Sequence, residues 1–191
     1  MKVNEIFYSL QGEGFHTGTA AIFVRLSGCN LCCPFCDTAH TEGNEMTEDE
    51  IVEVTRLYPA TLVVITGGEP SLFLTTSLVE KLHEAGKTVA VETNGTHILP
   101  KNVDWVTLSP KDNYVQNASP KLTFCSEIKV VFDGNPLPDY SYIKADYRFL
   151  QPCDTGNSQR NREITSAAVS YIQSHPEWRL SLQTHKIINI Q

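Results

Sequence analysis

The sequence predicts an α/β protein: an abbreviated, incomplete (β/α) barrel with about six parallel strands and three main helices, folded as one domain over residues 1–191. In the first half, strand-length apolar runs alternate with amphipathic helical stretches, the pattern of parallel strands joined by right-handed crossovers. The 191 residues fall short of the roughly 250 that a regular eight-stranded barrel takes, so the sheet is expected to curve without closing. Beyond residue 96 helical periodicity fades while strand signals continue, so the missing elements are helices.

Ala20-Ala21-Ile22-Phe23-Val24-Arg25-Leu26 has the length and apolarity of a buried strand and leads straight into a cysteine-rich loop. Thr47-x-x-Glu50 is a capping box that opens a helix bearing Ile51, Val52, Val54 and Leu57, stopped by Pro59. Leu62-Val63-Val64-Ile65 is a second buried strand and ends in Thr66-Gly67-Gly68-Glu69-Pro70. A helix over residues 75–85 follows, with Gly86 where a left-handed residue closes a helix. Residues 88–92 form a third strand that turns at Thr93-Asn94-Gly95-Thr96. Residues 103–108, 127–132 and 147–151 are expected as strands, and Pro110, Pro120, Pro136 and Pro138 interrupt any long helical period between them. A third helix over residues 160–174 and a last strand over 178–182 complete the set.

At 41% hydrophobic and 19% charged residues, the composition is that of a globular chain able to bury a core, which excludes disorder and a coiled coil. No apolar run approaches the ~18 residues of a membrane span. Glu5 stands where a signal peptide would begin its apolar region, so the expected location is the cytoplasm. A net charge of −7 offers no sequence-wide electrostatic reason to bind nucleic acid.

The six cysteines are unevenly placed, with Cys29, Cys32, Cys33 and Cys36 inside eight residues and Cys125 and Cys153 far away. Clustered thiols in a reducing compartment imply metal or redox chemistry, not a disulfide framework. Read as Cys29-x3-Cys33-x2-Cys36, three thiolates hold three irons of a [4Fe-4S] cluster and leave the fourth open to a substrate or cofactor. Two alternatives stand beside this. The register Cys29-x2-Cys32-x3-Cys36 is also present, and a zinc site can be drawn from Cys29-x2-Cys32 or Cys33-x2-Cys36 with a distant second pair. Cys125 and Cys153, with 27 residues between them, are poorly spaced for such a pair and read as buried thiols.

The spacing Cys29-x3-Cys33-x2-Cys36 after a buried strand, with Thr66-Gly67-Gly68-Glu69-Pro70 closing the next strand, resembles the radical S-adenosylmethionine (SAM) superfamily. The resemblance implies an open iron that chelates the amino and carboxylate groups of SAM, and a Gly-Gly-Glu turn that meets the methionine amino group. The chemistry agrees: glycines admit close backbone approach, and an acid suits an ammonium. Further segments resemble the 7-carboxy-7-deazaguanine synthase family. They are Ser9-Leu10-Gln11-Gly12-Glu13-Gly14, Arg25, Cys36-Asp37-Thr38, Ser109-Pro110-Lys111 and Gln183-Thr184-His185-Lys186, in the family's order.

This second resemblance implies conversion of 6-carboxy-5,6,7,8-tetrahydropterin to 7-carboxy-7-deazaguanine with loss of ammonia, by a usually dimeric barrel with fewer helices than strands. It implies a [4Fe-4S] cluster on Cys29, Cys33 and Cys36, SAM, and Mg²⁺ on Thr38. Leu10, Gln11, Gly12, Arg25 and Thr66 match substrate contacts; a planar guanidinium at Arg25 suits a carboxylate. Phe35, Cys36, Asp37, Gly68, Glu69, Ser109, Pro110, Lys111 and the segment Gln151-Pro152-Cys153-Asp154 match SAM contacts, with Phe35 packing on the adenine. Glu92 ends a strand within reach of the SAM ribose. His185 is the one histidine in a family segment. The implied partners are the pterin, a one-electron donor such as flavodoxin or ferredoxin, and a second copy of the chain, with neither a membrane nor a nucleic acid. Some relatives end in a proline near the substrate, where this sequence has Asn189-Ile190-Gln191. A small activase that places a glycyl radical on a partner enzyme is the nearest alternative, and a zinc-binding interaction module is the alternative from another class.

Overall fold

The computed structural model describes residues 1–191. The elements run β1 (Lys2–Leu10), β2 (Ala20–Leu26), β3 (Asn44–Glu45), α1 (Glu48–Arg56), β4 (Leu62–Gly67), a 3-10 turn (Pro70–Leu72), α2 (Thr76–Glu84) and β5 (Thr88–Thr93). They continue with β6 (Trp105–Leu108), β7 (Phe124–Phe132), β8 (Lys144–Pro152), α3 (Ser158–Ser174), β9 (Trp178–Leu180) and α4 (Thr184–Ile187). The result is a mixed α/β fold on one nine-stranded sheet, ordered β3-β1-β2-β4-β5-β6-β7-β8-β9. From β2 to β9 every neighbouring pair is parallel, while β1 is antiparallel to both β2 and β3.

The local signals account for the helices. Thr47 caps α1 through the reciprocal box with Glu50, which satisfies two of the donors that a helix start leaves unpaired. Thr75 caps α2 by accepting from the Leu78 N–H, and Gly86 follows its end at φ +75°. Asn157 caps α3 two residues earlier than the periodicity placed it. Three corrections apply to the expected elements. The parallel array has seven strands where about six were expected, and the sheet reaches nine because residues 2–10 form β1 and residues 44–45 pair with its start, both antiparallel. Leu10, expected in a loop before the first strand, is the last residue of β1. The Gln183-Thr184-His185-Lys186 segment contributes a fourth helix, the short α4.

The two faces of the sheet do different work. Ile22, Val24 and Leu26 from β2, with Val63, Ile65, Val89 and Val91, pack under Ile51 and Val52 of α1 and Leu78, Val79 and Leu82 of α2. A second apolar layer, with Leu108, Ile128, Val130 and Leu150, lies under Ile164 and Ala168 of α3. The opposite face starts apolar, at Ala21, Phe23, Leu62, Val64 and Ala90. It becomes polar toward the C-terminal strand ends, where Arg25, Thr66, Glu92 and Lys129 stand. Because side chains alternate along a strand, one register supplies both the helix-covered core and a polar interior.

The segments outside the parallel array cross this interior. Gly14 N–H donates to Ser181 Oγ at 2.9 Å and Phe15 N–H to Glu127 Oε2 at 2.8 Å, so the β1–β2 connection reaches from β2 over to β7 and past β9. Phe15 stacks on Trp105 and packs at a tilt against Tyr147, with centroids 4.9 and 4.5 Å away. Gln191 returns to β1, where its Nε2 donates to Glu5 Oε2 at 2.8 Å and its main-chain oxygen accepts from Ser9 Oγ at 2.6 Å.

Candidate active site

β2 delivers the chain into the cysteine loop, and β4 delivers the glycine turn beside it. Gly68 N–H donates to the Leu26 carbonyl and Glu69 N–H to the Gly28 carbonyl, both at 2.9 Å. Gly67 sits at φ +114°, and a Cβ on either Gly67 or Gly68 would run into the backbone of residues 26–28. The glycines are therefore required by close backbone contact. The base of the cysteine loop is closed by Gly28 N–H to the His40 carbonyl at 2.7 Å and by Ser27 Oγ to the Glu42 carbonyl. Asn30 ties the loop to the β5 turn, donating to Thr96 Oγ1 at 2.9 Å and accepting from Asn94 Nδ2 at 3.1 Å.

Cys29, Cys33 and Cys36 all line one cavity of about 580 Å³ over the C-terminal ends of the parallel strands, and Cys32 does not line it. All four are free thiols; Cys32 and Cys36 are exposed, and Cys29 and Cys33 are half-buried. Leu31 N–H donates to Cys29 Sγ at 3.4 Å, and Cys36 N–H donates to the Cys33 carbonyl at 3.2 Å. Burial pushes the Cys29 and Cys33 thiols up, and at Cys33 the Lys111 ammonium opposes this. No three His, Cys, Asp or Glu side chains converge on a point where one ion would sit. A tetrahedral zinc draws its sulfurs to about 2.3 Å, whereas the larger cubane of a [4Fe-4S] cluster takes thiolates spaced more widely. Three soft donors spread around one open cavity fit the cluster.

Every site residue expected from the sequence lines this cavity except Pro110, which is buried between Ser109 and Lys111. Their interactions sharpen the expected roles. Glu69 is 1% exposed, and its carboxylate accepts from Thr93 Oγ1 at 2.5 Å, Asn94 N–H at 2.7 Å and Ser71 N–H at 3.0 Å. It fastens the glycine turn to β5 as well as facing the cavity. Arg25 forms an ion pair with Glu5 at 2.8 Å and donates to Thr38 Oγ1 at 3.4 Å. Asp37 and Asp154 both pair with Lys186 of α4, at 3.0 and 3.1 Å. The Asp154 carboxyl is lowered to about 2 by hydrogen bonds from the Gly156 N–H, Asn161 and Lys186. Phe35 stands edge-on to Tyr114, centroids 4.7 Å apart. Lys111 Nζ donates to the Ser109 carbonyl and hydroxyl, both at 2.6 Å, and burial pulls its pKa down. Gly12 packs against His185, and its carbonyl accepts from Thr184 N–H at 3.0 Å and from Thr184 Oγ1. Cys125 is fully buried, with its thiol pushed up to about 12 by burial; Cys153 is 8% exposed at the cavity wall.

The sequence reading missed a charged layer at the cavity floor. Lys129 Nζ lies 2.5 Å from Glu13 Oε2 and 3.5 Å from Glu92 Oε1. Gln183 Nε2 donates to Glu13 Oε1, and Gln11 Nε2 to Glu92 Oε1, both at 3.0 Å. One signal was present: Lys129, like Arg25, is a charge inside an apolar strand run, Ile128-Lys129-Val130-Val131. Burial pushes the Glu13 carboxyl up, but the Lys129 charge and the Gln183 and Gln151 hydrogen bonds outweigh it and bring Glu13 down to about 2. A depressed carboxyl stabilises the fold fully above its unfolded value near 4.5 and loses that contribution as the pH falls toward 2. At pH 7, Glu13→Gln is expected to unfold at a lower urea concentration than the unchanged chain. The gap should close progressively below pH 4.5; a pH-independent gap would show that the ionised carboxylate is not its source.

Comparison with known proteins agrees with this geometry. A family model of the Radical SAM superfamily matches residues 23–112, the stretch that runs from β2 through the cysteine loop and glycine turn to Lys111. A 7-carboxy-7-deazaguanine synthase of Bacteroides thetaiotaomicron is 52% identical over 190 residues, covering 100% of this chain and 98% of that protein. A second, from Haemophilus influenzae, is 36% identical, covering 98% and 92%. The crystal structure of QueE from Escherichia coli superposes with a TM-score of 0.70 at 29% identity, covering 96% of this chain and 94% of that one. Streptococcus suis SuiB shares the fold alone, at a TM-score of 0.52 and 15% identity. Fold and site thus define a radical SAM enzyme, whose chemistry draws on SAM and a [4Fe-4S] cluster. Within that superfamily, the chain belongs to the 7-carboxy-7-deazaguanine synthase family.

Proposed function

We propose that this enzyme of 7-deazapurine biosynthesis converts 6-carboxy-5,6,7,8-tetrahydropterin to 7-carboxy-7-deazaguanine with loss of ammonia. One observation carries the reading: the cysteine triplet, the glycine turn and the Leu10-Gln11-Gly12 segment line a single cavity. They do so in a chain that matches a synthase over its full length. The relatives named above carry the synthase name, not that of an activase.

In this reading Cys29, Cys33 and Cys36 hold the cluster, and SAM lies along Phe35, Cys36, Asp37, Gly68, Glu69, Glu92, Ser109, Lys111 and residues 151–154, while Pro110, which is off the cavity, is not a contact. Held there, the cluster and SAM would supply the radical chemistry that hydrogen removal from the pterin needs. The chain's own residues bind, orient and seal. Arg25, already oriented by Glu5, has guanidinium donors to offer the substrate carboxylate. Gln11, Gly12 and Thr66 fix the ring edge, and Leu10 closes one side. Glu69 cannot swing, because three donors hold it, so it presents its acceptors in fixed directions. The Asp37–Lys186–Asp154 bridge ties α4 to the cysteine loop across the cavity rim, which limits water entry. Mg²⁺ sits at Thr38. That hydroxyl is one hard ligand, so substrate and water supply most of the others.

The sheet is read as an incomplete barrel, supported by the β1–β2 connection and the 181–191 segment that span its open side. The enzyme works as a homodimer in the cytoplasm with flavodoxin or ferredoxin as donor. No helix is long and apolar enough to cross a membrane. The test is anaerobic turnover: reconstituted enzyme with reductant, SAM, Mg²⁺ and the pterin should form the deazaguanine acid. Intact cluster without product would sink the substrate assignment.

A further inference from the structure

Lys129 is the least exposed of the three linked charges, with its side chain 5% exposed, against 14% for Glu13 and 25% for Glu92. The ammonium lines the cavity together with the two carboxylates. Their oxygens are used unequally. Both oxygens of Glu13 are taken, Oε2 by Lys129 and Oε1 by Gln183. On Glu92 both protein partners, Gln11 Nε2 and Lys129 Nζ, fall on Oε1. Oε2 accepts from no protein group, and Glu92 lines the cavity.

A carboxylate with a hydrogen bond and an ion pair on one oxygen, and no protein partner on the other, has an acceptor to offer whatever fills the cavity. We propose that Lys129 is a positioning residue: anchored by Glu13, it holds the Glu92 carboxylate so that Oε2 receives a hydrogen-bond donor of the bound small molecule. The donor is a ring N–H of the pterin or a ribose hydroxyl of SAM, and the acceptor chemistry is the same for both. Other charged groups near Lys129 do not take over this task. Glu127 on the same strand spends its oxygens on Thr107 Oγ1 at 2.9 Å and Phe15 N–H at 2.8 Å, and Lys111 is engaged with Ser109. The inference rests on the reading of this cavity as the site for SAM and the pterin.

The test uses reconstituted anaerobic holoenzyme as the unchanged chain, Lys129→Met, Lys129→Arg, Glu92→Gln and the Lys129→Met/Glu92→Gln double variant. Dissociation constants for SAM and for the pterin are measured separately by titration, with kcat and KM beside them. A hydrogen bond to a charged group corresponds to about a 10- to 100-fold change in affinity. Lys129→Met and Glu92→Gln should each weaken the same ligand by that factor, with the change in KM exceeding that in kcat, and Lys129→Arg should recover most of it. In the double variant the lysine change should add little, because it acts through Glu92. The ligand affected identifies the donor. Unchanged affinity for both ligands in Lys129→Met would overturn the proposal. So would losses that simply multiply in the double variant, or an arginine variant as impaired as methionine, since these indicate a general packing role. If the unchanged enzyme binds SAM but neither binds nor converts the pterin, the functional reading fails, and the SAM titrations alone decide the role of Lys129.

Discussion

Cys33→Ser protein is expected to retain neither iron nor sulfide at cluster stoichiometry after anaerobic reconstitution and to show no measurable turnover, whereas Cys32→Ser retains both. The two residues are adjacent, and sequence alone allows either register. The fold distinguishes them, because Cys33 lines the cavity with Cys29 and Cys36 while Cys32, exposed, does not. Serine preserves volume but replaces a soft donor with a hard one, so the contrast reads ligation and not packing. Cys32→Ser, as a surface change, should alter stability by no more than about 0.5 kcal/mol. Cluster loss in Cys32→Ser with retention in Cys33→Ser would reverse the assignment.

Gly68→Ala should be the most damaging single methyl in the chain. Its Cβ would occupy the space of the Gly28 carbonyl, which is backbone and has no rotamer to move into. That carbonyl also accepts the Glu69 N–H, and Gly28 immediately precedes Cys29. Relief of the overlap therefore parts the glycine turn from the start of the cysteine loop. Overpacking of this kind costs about 3 kcal/mol, a fall in Tm of roughly 6–12 °C for a domain this size. Cluster retention should fall with it. Gly86→Ala is a useful comparison, since a Cβ there meets nothing and only the left-handed φ opposes it. Equal iron content in Gly68→Ala and the unchanged chain would show that the loop tolerates the displacement.

What could be read from the sequence was mostly local. The capping box of α1 and the Thr75 cap of α2 are complete within a few residues, so these helices start where expected. The cysteine spacing and the glycine turn are likewise short motifs attached to apolar strands. β1 escaped because Asn4 and Glu5 break its alternation, and most of its residues are only partly buried. α4 is four residues long, shorter than any periodic signal. The floor of the site escaped for a different reason. Lys129 meets Glu13 across 116 residues, and Gln183 meets Glu13 across 170. A charge in an apolar strand announces that a partner exists and does not say which. Glu5 is the partner of Arg25 only because β1 lies against β2, the pairing that the sequence left unassigned.

The contacts that span the open side of the sheet also set an order of events during synthesis. Gly12 waits 172 residues for Thr184, and Ser9 waits 182 for Gln191. Domains emerge from the ribosome at about 5–20 residues per second, N-terminal parts first. The cysteine loop and the glycine turn can therefore dock while the far wall of the cavity is still being made. Contacts of such separation bear a loop-closure cost before they return any stabilisation. The contacts that enclose the cavity are thus the ones that wait for the longest stretch of chain, and the cysteine loop lacks them until residues 181–191 have been made.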